Sequence, residues 1–381
     1  MLDAPMRLGL VAGEASGDLL ASLLLKGLAQ RWPNMRAFGI GGPRMVSGGF
    51  ETWWPMERLS VFGYVDALGR LPELLRIRRQ LGDRLLADPP RVFIAVDAPD
   101  FNFALEVRLR QAGVRTVHFV CPSIWAWRPE RVQKLKGAAD HVLCLFPFEP
   151  ALLRSHGLDA TYVGHPLADI IALEDGRTAA RLALGLPLHA EIVAVLPGSR
   201  RSEIDQIGPR FAAAAGLMHR QRPDLHFVLP AAPGHGTVIR QHWLRWAPKV
   251  PVQVLEGQSH PALAACNVAL VASGTATLEA ALFKRPMVIA YHLSWLNWQR
   301  MKRMSLQPWF GLPNILAGEF VVPELIQQAA TPTALAEATL EWLNQPARVA
   351  SLRQRFTDLH HLLRQDTAQR AGDAIAQVIA Q

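Results

Sequence analysis

Apolar residues fall in short continuous runs along most of the chain, and each run leads through a polar or glycine-containing turn into a helix-type pattern. The clearest case starts at Val268, where five apolar residues precede the turn Ser273-Gly274-Thr275 and a stretch of good helix formers up to Leu282. A continuous apolar run of this length is typical of a strand buried on both faces. The repeated strand–turn–helix pattern therefore predicts an α/β fold with parallel sheets.

This pattern occurs twice, once in each half of the chain. We predict Rossmann-like βαβ domains at residues 1–166 and 167–345, facing each other across a cleft, and a helical tail at 346–381 that packs back on an N-terminal domain. Residues 312–318 are predicted to be a loop, residues 323–327 the start of a helix, and residues 331–381 helical. The predicted strands are residues 6–12, 37–40, 91–96, 115–120, 141–146, 161–163, 191–196, 224–230, 250–255, 268–272 and 287–291.

Composition narrows the class of partner. The chain has 381 residues, of which 50% are hydrophobic and 19% charged, and its net charge is +8. Such a balance indicates a globular protein with an acidic partner, namely a nucleic acid, an anionic membrane or a phosphorylated substrate. The three cysteines lie in or beside apolar runs without CxxC spacing, as expected of buried thiols in a reducing compartment. With neither a signal peptide nor an 18-residue apolar stretch, we expect a cytoplasmic protein, able to sit on a membrane surface.

Carboxylates follow two predicted strands of the first half. Glu14 comes after the first strand, and Asp97 is the first residue after the strand at 91–96. Ligands of open α/β sheets bind outside the carboxyl ends of the strands. Asp97 is therefore the candidate general base and Glu14 its rival, whereas Asp100 is expected to cap the next helix. The glycine-rich turns 13–18 and 41–45 are weaker indications of a crevice at this edge.

Two turns in the second half are suited to a diphosphate. Gly198, Ser199 and Arg200 precede a predicted helix, which would combine backbone donors, the helix dipole and a guanidinium. The Ser273-Gly274-Thr275 turn provides a second helix start, although it could equally be an ordinary capped turn. Glu279, about one helical turn later, could accept hydrogen bonds from sugar hydroxyls.

Basic aromatic segments form a third feature. Residues 53–86 and 293–310 combine tryptophan and leucine with arginine and lysine, as in helices that lie on anionic bilayers. A solvated crossover helix explains the first of them at least as well. The loop containing Trp125, Trp127 and Arg128 suits a sugar phosphate or an acyl chain, and ordinary aromatic packing is an equal alternative. His165 is read as a ligand contact or, with slight preference, a cap.

Seven motifs in this order resemble the lipid A disaccharide synthase family. They extend over nearly the whole chain, and the fourth is the most specific. The motifs are Gly13-Glu-Ala-Ser-Gly-Asp18, Gly41-Gly-Pro-Arg-Met45, Asp97-Ala-Pro-Asp-Phe-Asn102, Pro122-Ser-Ile-Trp-Ala-Trp-Arg128, Leu196-Pro-Gly-Ser-Arg200, Ser273-Gly-Thr-Ala-Thr-Leu-Glu279 and Pro313-Asn-Ile-Leu-Ala-Gly318.

The resemblance implies a GT-B glycosyltransferase. Such an enzyme transfers 2,3-diacylglucosamine from its UDP donor to the 6-hydroxyl of lipid X, giving a β-1,6-linked disaccharide 1-phosphate and UDP. It implies peripheral attachment to the anionic cytoplasmic face of the inner membrane, and a homodimer with exchanged C-terminal helices. We expect no cofactor and no divalent metal, because Asp97 and Asp100, with Pro99 between them, lack the Asp-x-Asp spacing that holds a metal in UDP-dependent enzymes.

By the same resemblance, Asp97 is the base, Arg200 and the turn at residues 273–275 hold the diphosphate, and Glu279 holds the ribose. Asn314 and Gln327 would also line the donor side, and Gly311 stands where the family more often has serine.

Two other classes of protein remain. A UDP-sugar 2-epimerase would share the fold and the nucleotide site, but it has no use for two basic aromatic segments. A nucleic-acid-binding protein would explain the positive charge and the eleven tryptophans. It would not explain Asp97 and Glu14 at strand ends, and the chain has no recognised nucleic-acid-binding motif, so we expect no nucleic-acid partner.

Overall fold

The computed structural model describes residues 5–59, 64–199, 201–232, 234–293, 295–304 and 306–381. These residues form two units, each built on one sheet. The first unit comprises Met1–Ile170 and Leu362–Gln381, and the second comprises Ile171–His361.

The first unit contains a seven-stranded parallel sheet of order β3-β2-β1-β4-β5-β6-β7. The order reverses between β1 and β4, where ligands bind in doubly wound sheets. Its strands are β1 Arg7–Ala12, β2 Arg36–Gly41, β3 Glu51–Pro55, β4 Val92–Val96, β5 Arg115–Phe119, β6 His141–Cys144 and β7 Ala160–Tyr162. Its helices are α1 Ala15–Arg31, α2 Pro43–Ser47, α3 Tyr64–Ala87, α4 Pro99–Gln111, α5 Arg131–Ala138, α6 Glu149–Ser155, α7 Pro166–Ile170 and, after the second unit, α17 Thr367–Ala380.

The second unit contains a six-stranded parallel sheet of order β10-β9-β8-β11-β12-β13, which reverses between β8 and β11. Its strands are β8 Ile192–Leu196, β9 His226–Ala231, β10 Gln253–Glu256, β11 Val268–Ala272, β12 Met287–Tyr291 and β13 Glu324–Ile326. Its helices are α8 Arg177–Leu184, α9 Arg201–Gln221, α10 Gly236–Trp246, α11 Ser259–Ala265, α12 Thr275–Leu282, α13 Trp295–Met304, α14 Leu312–Ala317, α15 Pro332–Asn344 and α16 Pro346–Leu363.

Each core lies between its sheet and the helices on both faces, as the apolar runs predict. All five residues of β4, β8 and β11 are buried. The first core also includes Ala371, Ala374 and Ile375 of α17, which pack with Leu24 and other residues of α1. The two-sheet α/β fold predicted from the sequence is therefore confirmed.

The chain returns to the first unit later than predicted. Leu352 and Phe356 of α16 are part of the second core, so most of this helix belongs to the second unit and the return occurs after His361. The first crossing between the units follows Ile170.

Two local predictions were wrong. Residues 312–317 form helix α14 because Gly311 and Pro313 start it and Gly318, with φ of 69°, ends it. Glu324–Ile326 is a strand and not the start of a helix, because it pairs in parallel with β12 and forms the edge of the sheet.

Candidate functional site

The two carboxylates proposed as base lie at the reversal point of the first sheet. Ala12 of β1 pairs directly with Val96 of β4, so Glu14 and Asp97 follow neighbouring strand ends. Glu14 is exposed and Asp97 is half-buried. The structure thus brings both sequence candidates to one edge of the sheet.

The turn that carries Asp97 has an uncommon backbone. Asp97 and Ala98 have φ of 49° and 46°, in the left-handed region that costs energy for residues other than glycine. Asn102 Nδ2 holds this turn by donating a 2.7 Å hydrogen bond to the backbone oxygen of Asp97. Such strain is characteristic of residues whose exact direction matters for function.

The surroundings of Asp97 favour a basic carboxylate. Burial raises the pKa of Asp97, His118 lowers it, and the Glu14 carboxylate raises it again, with a net rise above the usual 3.8. A general base works best when its pKa is closer to the working pH than that of an ordinary aspartate.

Asp100 does not cap helix α4, contrary to the prediction. The N-cap is Ala98, and the exposed Asp100 carboxylate accepts hydrogen bonds of 2.7 and 2.8 Å from Arg131 Nη2. Pro99 at the first helical position sets the start of α4 without a side-chain cap among the described residues.

The loop that contains Trp125, Trp127 and Arg128 is anchored at one indole and exposed at the other. Trp125 donates from Nε1 to the buried Glu149 at 3.0 Å and packs edge-on against Phe148. Trp127 is 40% exposed, and the Arg128 guanidinium lies 4.8 Å from the centre of its ring. Trp125 is thus partly structural, whereas Trp127 and Arg128 can meet a ligand.

Glu149 makes the anchoring of this loop sensitive to pH. Burial raises the pKa of Glu149 from 4.5 to about 7, although Phe146 N–H and the Trp125 indole donate to it. Between pH 4.5 and 7 the Glu149 carboxyl has lost its proton in the unfolded chain but keeps it in the folded protein. The stability that this carboxyl contributes below pH 4.5 therefore decreases as the pH rises towards 7. This rise in the pKa of Glu149 corresponds to on the order of 3 kcal/mol.

Glu149→Gln removes this titration while keeping the side-chain volume. We expect the free energy of unfolding of the variant to increase relative to that of the unmodified protein as the pH rises from 4.5 to 7. Urea unfolding at half-unit pH intervals measures this difference. Parallel pH profiles for the two proteins would contradict the role assigned to Glu149.

The glycine-rich turn at residues 41–45 is not an open anion site. The buried Asp18 carboxylate accepts hydrogen bonds from the backbone N–H groups of Gly42, Arg44 and Met45 at 3.0, 3.0 and 3.1 Å. The donors at the start of α2 are therefore already satisfied by α1. The motifs at residues 13–18 and 41–45, which were interpreted as crevice loops, therefore bind each other and hold two consecutive βα units together.

His165 is likewise structural. It is buried, and its Nδ1 accepts from the backbone N–H of Leu167 at 3.2 Å in the first turn of α7. Burial lowers its pKa to about 3, so the imidazole stays neutral.

The proposed diphosphate turns lie at the reversal point of the second sheet. Leu196 of β8 pairs with Val271 of β11, so the turns after these strands are neighbours. Gly198 has φ of 110° and Gly274 has φ of 151°, conformations that strain any side chain. Ser199, Gly274 and Thr275 are exposed, and Ser273 Oγ donates to the Phe310 carbonyl at 3.0 Å. Arg200 lies outside the described residues.

Glu279 is half-buried on α12 and has a partner that the sequence did not reveal. Nε2 of His260, on α11, lies 3.4 Å from Glu279 Oε2. Only the apolar residues around His260 stood out in the sequence, and nothing in the spacing linked it to Glu279. The pair places a carboxylate and an imidazole beside the exposed Gly274–Thr275 turn.

Asn314 and Gln327 have side chains that are engaged within the second unit. Asn314 is fully buried, donates to Val322 O and Glu324, and accepts from the N–H groups of Val321 and Val322. The buried Gln327 amide pairs with both backbone groups of Leu293, at 2.8 and 3.2 Å. These contacts show side chains that hold loops in shape.

Glu324 is a further residue that sequence reasoning missed. It accepts hydrogen bonds from Phe310 N, Gly311 N and Asn314 Nδ2 at 2.8 to 2.9 Å. Burial raises its pKa. A side chain at Gly311 would approach Ile289 Cδ1 to 2.2 Å, so glycine lets this loop lie close to β12.

Solved structures that are similar to this chain define the class of fold. The UDP-GlcNAc 2-epimerase from Neisseria meningitidis bound to UDP-GlcNAc superposes with a TM-score of 0.69 at 12% identity, over 98% of this chain and 100% of that one. MurG from Acinetobacter baumannii gives 0.58 at 14% identity, over 98% and 100%. The fold is thus that of the GT-B glycosyltransferases and UDP-sugar epimerases.

Sequence relatives separate these two activities. The family model described as lipid-A-disaccharide synthetase matches residues 8–379. The lipid-A-disaccharide synthase of Verminephrobacter eiseniae (strain EF01-2) is 56% identical over 100% of this chain and 99% of its own, and that of Burkholderia pseudomallei (strain 1710b) is 55% identical over 98% and 97%. The chain belongs to the lipid-A-disaccharide synthase family and is a glycosyltransferase of lipid A synthesis.

Proposed function

We propose that this enzyme transfers 2,3-diacylglucosamine from UDP-2,3-diacylglucosamine to the 6-hydroxyl of 2,3-diacylglucosamine 1-phosphate, with inversion at the anomeric carbon. The observation that carries this proposal is a strained, partly buried carboxylate, Asp97, at the reversal point of the first sheet in a chain of this family. A primary alcohol is a poor nucleophile, and a carboxylate within hydrogen-bond reach removes its proton as the new bond forms.

The donor is assigned to the second unit. Backbone N–H groups at the Gly198–Ser199 and Ser273–Thr275 turns, together with Arg200, would hold the diphosphate, and Glu279 the ribose. The UDP-GlcNAc bound by the structurally similar epimerase is consistent with a UDP-sugar here. Asn314 and Gln327 would act by fixing the loops beside the donor, since their amides are already bonded to protein groups.

The acceptor is assigned to the first unit. Asp97 would take the proton of the 6-hydroxyl while the oxygen attacks the anomeric carbon from the side opposite UDP. Direct displacement of an α-linked UDP gives a β-linked product. Trp127 and Arg128 would contact the acyl chains or phosphate of the acceptor.

Radiolabelled UDP-2,3-diacylglucosamine incubated with and without lipid X tests this function. We expect a labelled disaccharide 1-phosphate and stoichiometric UDP only when both substrates are present. An epimerase would convert the sugar in the absence of an acceptor, and that result would replace the proposal with the activity of the structurally similar epimerase.

Turnover is expected to be unchanged in excess EDTA. Asp97 is held in its turn while Asp100 pairs with Arg131, so the two carboxylates do not form the Asp-x-Asp pair that holds a metal in many UDP-sugar enzymes. Arg200 and the helix starts would offset the charge of the leaving UDP instead. A loss of activity that magnesium restores would contradict this prediction.

The enzyme is proposed to bind the anionic cytoplasmic face of the inner membrane from one side. No helix in the described part of the chain has the length and apolar content to cross a bilayer. Helix α3 leaves Leu71 and Leu75 exposed at 47% and 45%, beside the exposed Arg76 and Arg79, and Trp295 in the second unit is 69% exposed. A homodimer with exchanged C-terminal helices remains a proposal from the family resemblance.

Arg76→Gln combined with Arg79→Gln should weaken binding to vesicles containing phosphatidylglycerol, because each basic side chain near such a surface contributes about 1 kcal/mol. Co-sedimentation at low and high salt measures the effect. Arg115→Gln together with Arg36→Gln, at the amino ends of β5 and β2, provides a charge-matched control. Equal binding of the α3 variant and the control would mean that α3 is an ordinary solvated helix.

A further inference from the structure

A buried pair of polar side chains, one on α4 and one on β5, has no part in the proposed transfer. Glu106 on α4 and His118 on β5 are both completely buried, and His118 Nδ1 lies 2.9 and 3.1 Å from the two carboxylate oxygens of Glu106. Ionisable side chains are rarely kept at zero exposure, because removing them from water is costly. Replacing such a pair by apolar residues is often neutral or stabilising, so a purely structural reason for it is weak.

The sheet register places His118 close to the Asp97 turn. His118 pairs with Ala95 of β4, two residues before Asp97, and its side chain projects to the face that α4 covers, where it meets Glu106. The Asp97 backbone N–H donates to the carbonyl of Phe119, the residue after His118, at 3.0 Å. His118 also acts electrostatically on Asp97, whose pKa it lowers.

One face of α4 connects the pair with the strained turn. Asn102 and Glu106 are four residues apart, so they lie on the same side of the helix, and both are fully buried. Asn102 donates to the Asp97 backbone oxygen at 2.7 Å, while Glu106 holds the imidazole of His118. The backbone and the electrostatic environment of Asp97 are thus set by successive turns of one helix.

The orientation of the imidazole is fixed by its partner. A carboxylate only accepts hydrogen bonds, so Glu106 keeps a proton on Nδ1 and the ring presents Nε2 on its opposite edge. Nε2 is buried, and it has no hydrogen-bond partner within the described ranges. The Asn102 Oδ1 atom is also buried and has no hydrogen-bond partner among the described residues. Buried polar atoms without a partner thus occur on Asn102, which holds the Asp97 turn, and on His118.

We propose that Glu106 and His118 are positioning residues that keep Asp97 deprotonated and correctly directed while the acceptor binds. The inference rests on the proposed role of Asp97 as base. During transfer the acceptor proton moves to Asp97 and afterwards to solvent, and the pair gains and loses none. The other charged groups that act on Asp97 are Glu14 after β1 and Arg131 on α5.

The pH dependence of kcat tests the proposal. His118→Asn retains a donor for Glu106 and removes the ring edge that faces away from it. Without the imidazole the pKa of Asp97 rises, so the acid limb of the kcat profile should move up by about one pH unit. At pH 9 kcat should lie within about twofold of the unmodified enzyme, and KM for the UDP-sugar should not change.

Glu106→Gln is the conservative second variant, since it keeps the side-chain volume and one acceptor for Nδ1. Glutamine can donate as well as accept, so it no longer fixes the tautomer and orientation of the imidazole, and the acid limb should move in the same direction. Titration of the Asp97 carboxyl by ¹³C NMR, in the unmodified protein and in Glu106→Gln, gives the same comparison without turnover. His141→Asn is the control, because His141 lies on β6 and bonds Thr161 instead, so its profile should not move.

An unmoved acid limb, or an equal loss of kcat at every pH in folded variants, would overturn the proposal. If His118→Asn does not fold, Glu106→Gln and the NMR titration decide the matter. Full turnover in Asp97→Asn would instead overturn the assignment of the base itself, so the two failures can be told apart.

Discussion

Asp97→Asn is expected to lower kcat by at least about 10²-fold, the usual contribution of a general base. The variant keeps the size of the side chain and removes only the basic oxygen. Asparagine also tolerates the left-handed backbone that this position requires, with φ of 49°. The melting temperature and the affinity for UDP, which is assigned to the second unit, should therefore stay close to those of the unmodified enzyme. Single-turnover kinetics at saturating donor, with calorimetry of both proteins, gives the comparison.

Two neighbouring carboxylates provide matched controls. Asp100→Asn removes an exposed carboxylate paired with Arg131 and should leave kcat within a fewfold of normal. Glu14→Gln should reduce kcat less than Asp97→Asn, because Glu14 is the more exposed of the two candidates. Normal turnover in folded Asp97→Asn, together with loss of turnover in Glu14→Gln, would transfer the role of base to Glu14.

Asp18→Ala is expected to lower the free energy of unfolding by about 3 kcal/mol or more. It leaves three backbone N–H groups at the start of α2 without their carboxylate, and each buried unsatisfied donor costs about 1–3 kcal/mol. Urea unfolding measured by far-UV circular dichroism provides this change in the free energy of unfolding.

Asp83→Ala is the control for this experiment. Asp83 is 55% exposed and pairs with Arg108 at the surface, so its removal should cost less than about 1 kcal/mol. An equally small loss of stability in the Asp18 and Asp83 variants would mean that water satisfies the backbone donors of α2 when the Asp18 carboxylate is absent. The turn at residues 41–45 would then be open to anions.

Most of the strands followed from the sequence, because continuous apolar runs ending in small polar turns leave little choice of structure. Strands β3 and β13 and the order of the strands in the two sheets did not. Asp97 was found for the same reason, as the first polar residue after β4. The tie between Asp18 and the Gly42 turn was not predictable, because it joins two motifs 24 residues apart through backbone donors that no side-chain pattern records.

The loops beside the donor turns were harder to predict for a related reason. β13 has only three residues, and its pairing with β12 decides its structure more than its own pattern does. Glu324 and His260 act through partners distant in sequence or on another helix, and a single carboxylate or imidazole carries no spacing signal. The left-handed backbone of Asp97 and Ala98 was likewise invisible, since neither residue is glycine.

The late return of α17 to the first core has a consequence for how the protein is made on the ribosome. Gly27 of α1 lies so close to Ala368 that an added Cβ would come within 2.0 Å of it, and Ala371, Ala374 and Ile375 complete the apolar layer over the sheet. The whole of Ile171–His361 is synthesised between the two halves of this core. Residues 32–366 separate α1 from α17, so at about 5–20 residues per second α1 waits roughly 17–67 s for its partner helix. During that interval the apolar face of α1 lacks the cover that α17 later provides, while the second unit has all of its own core residues.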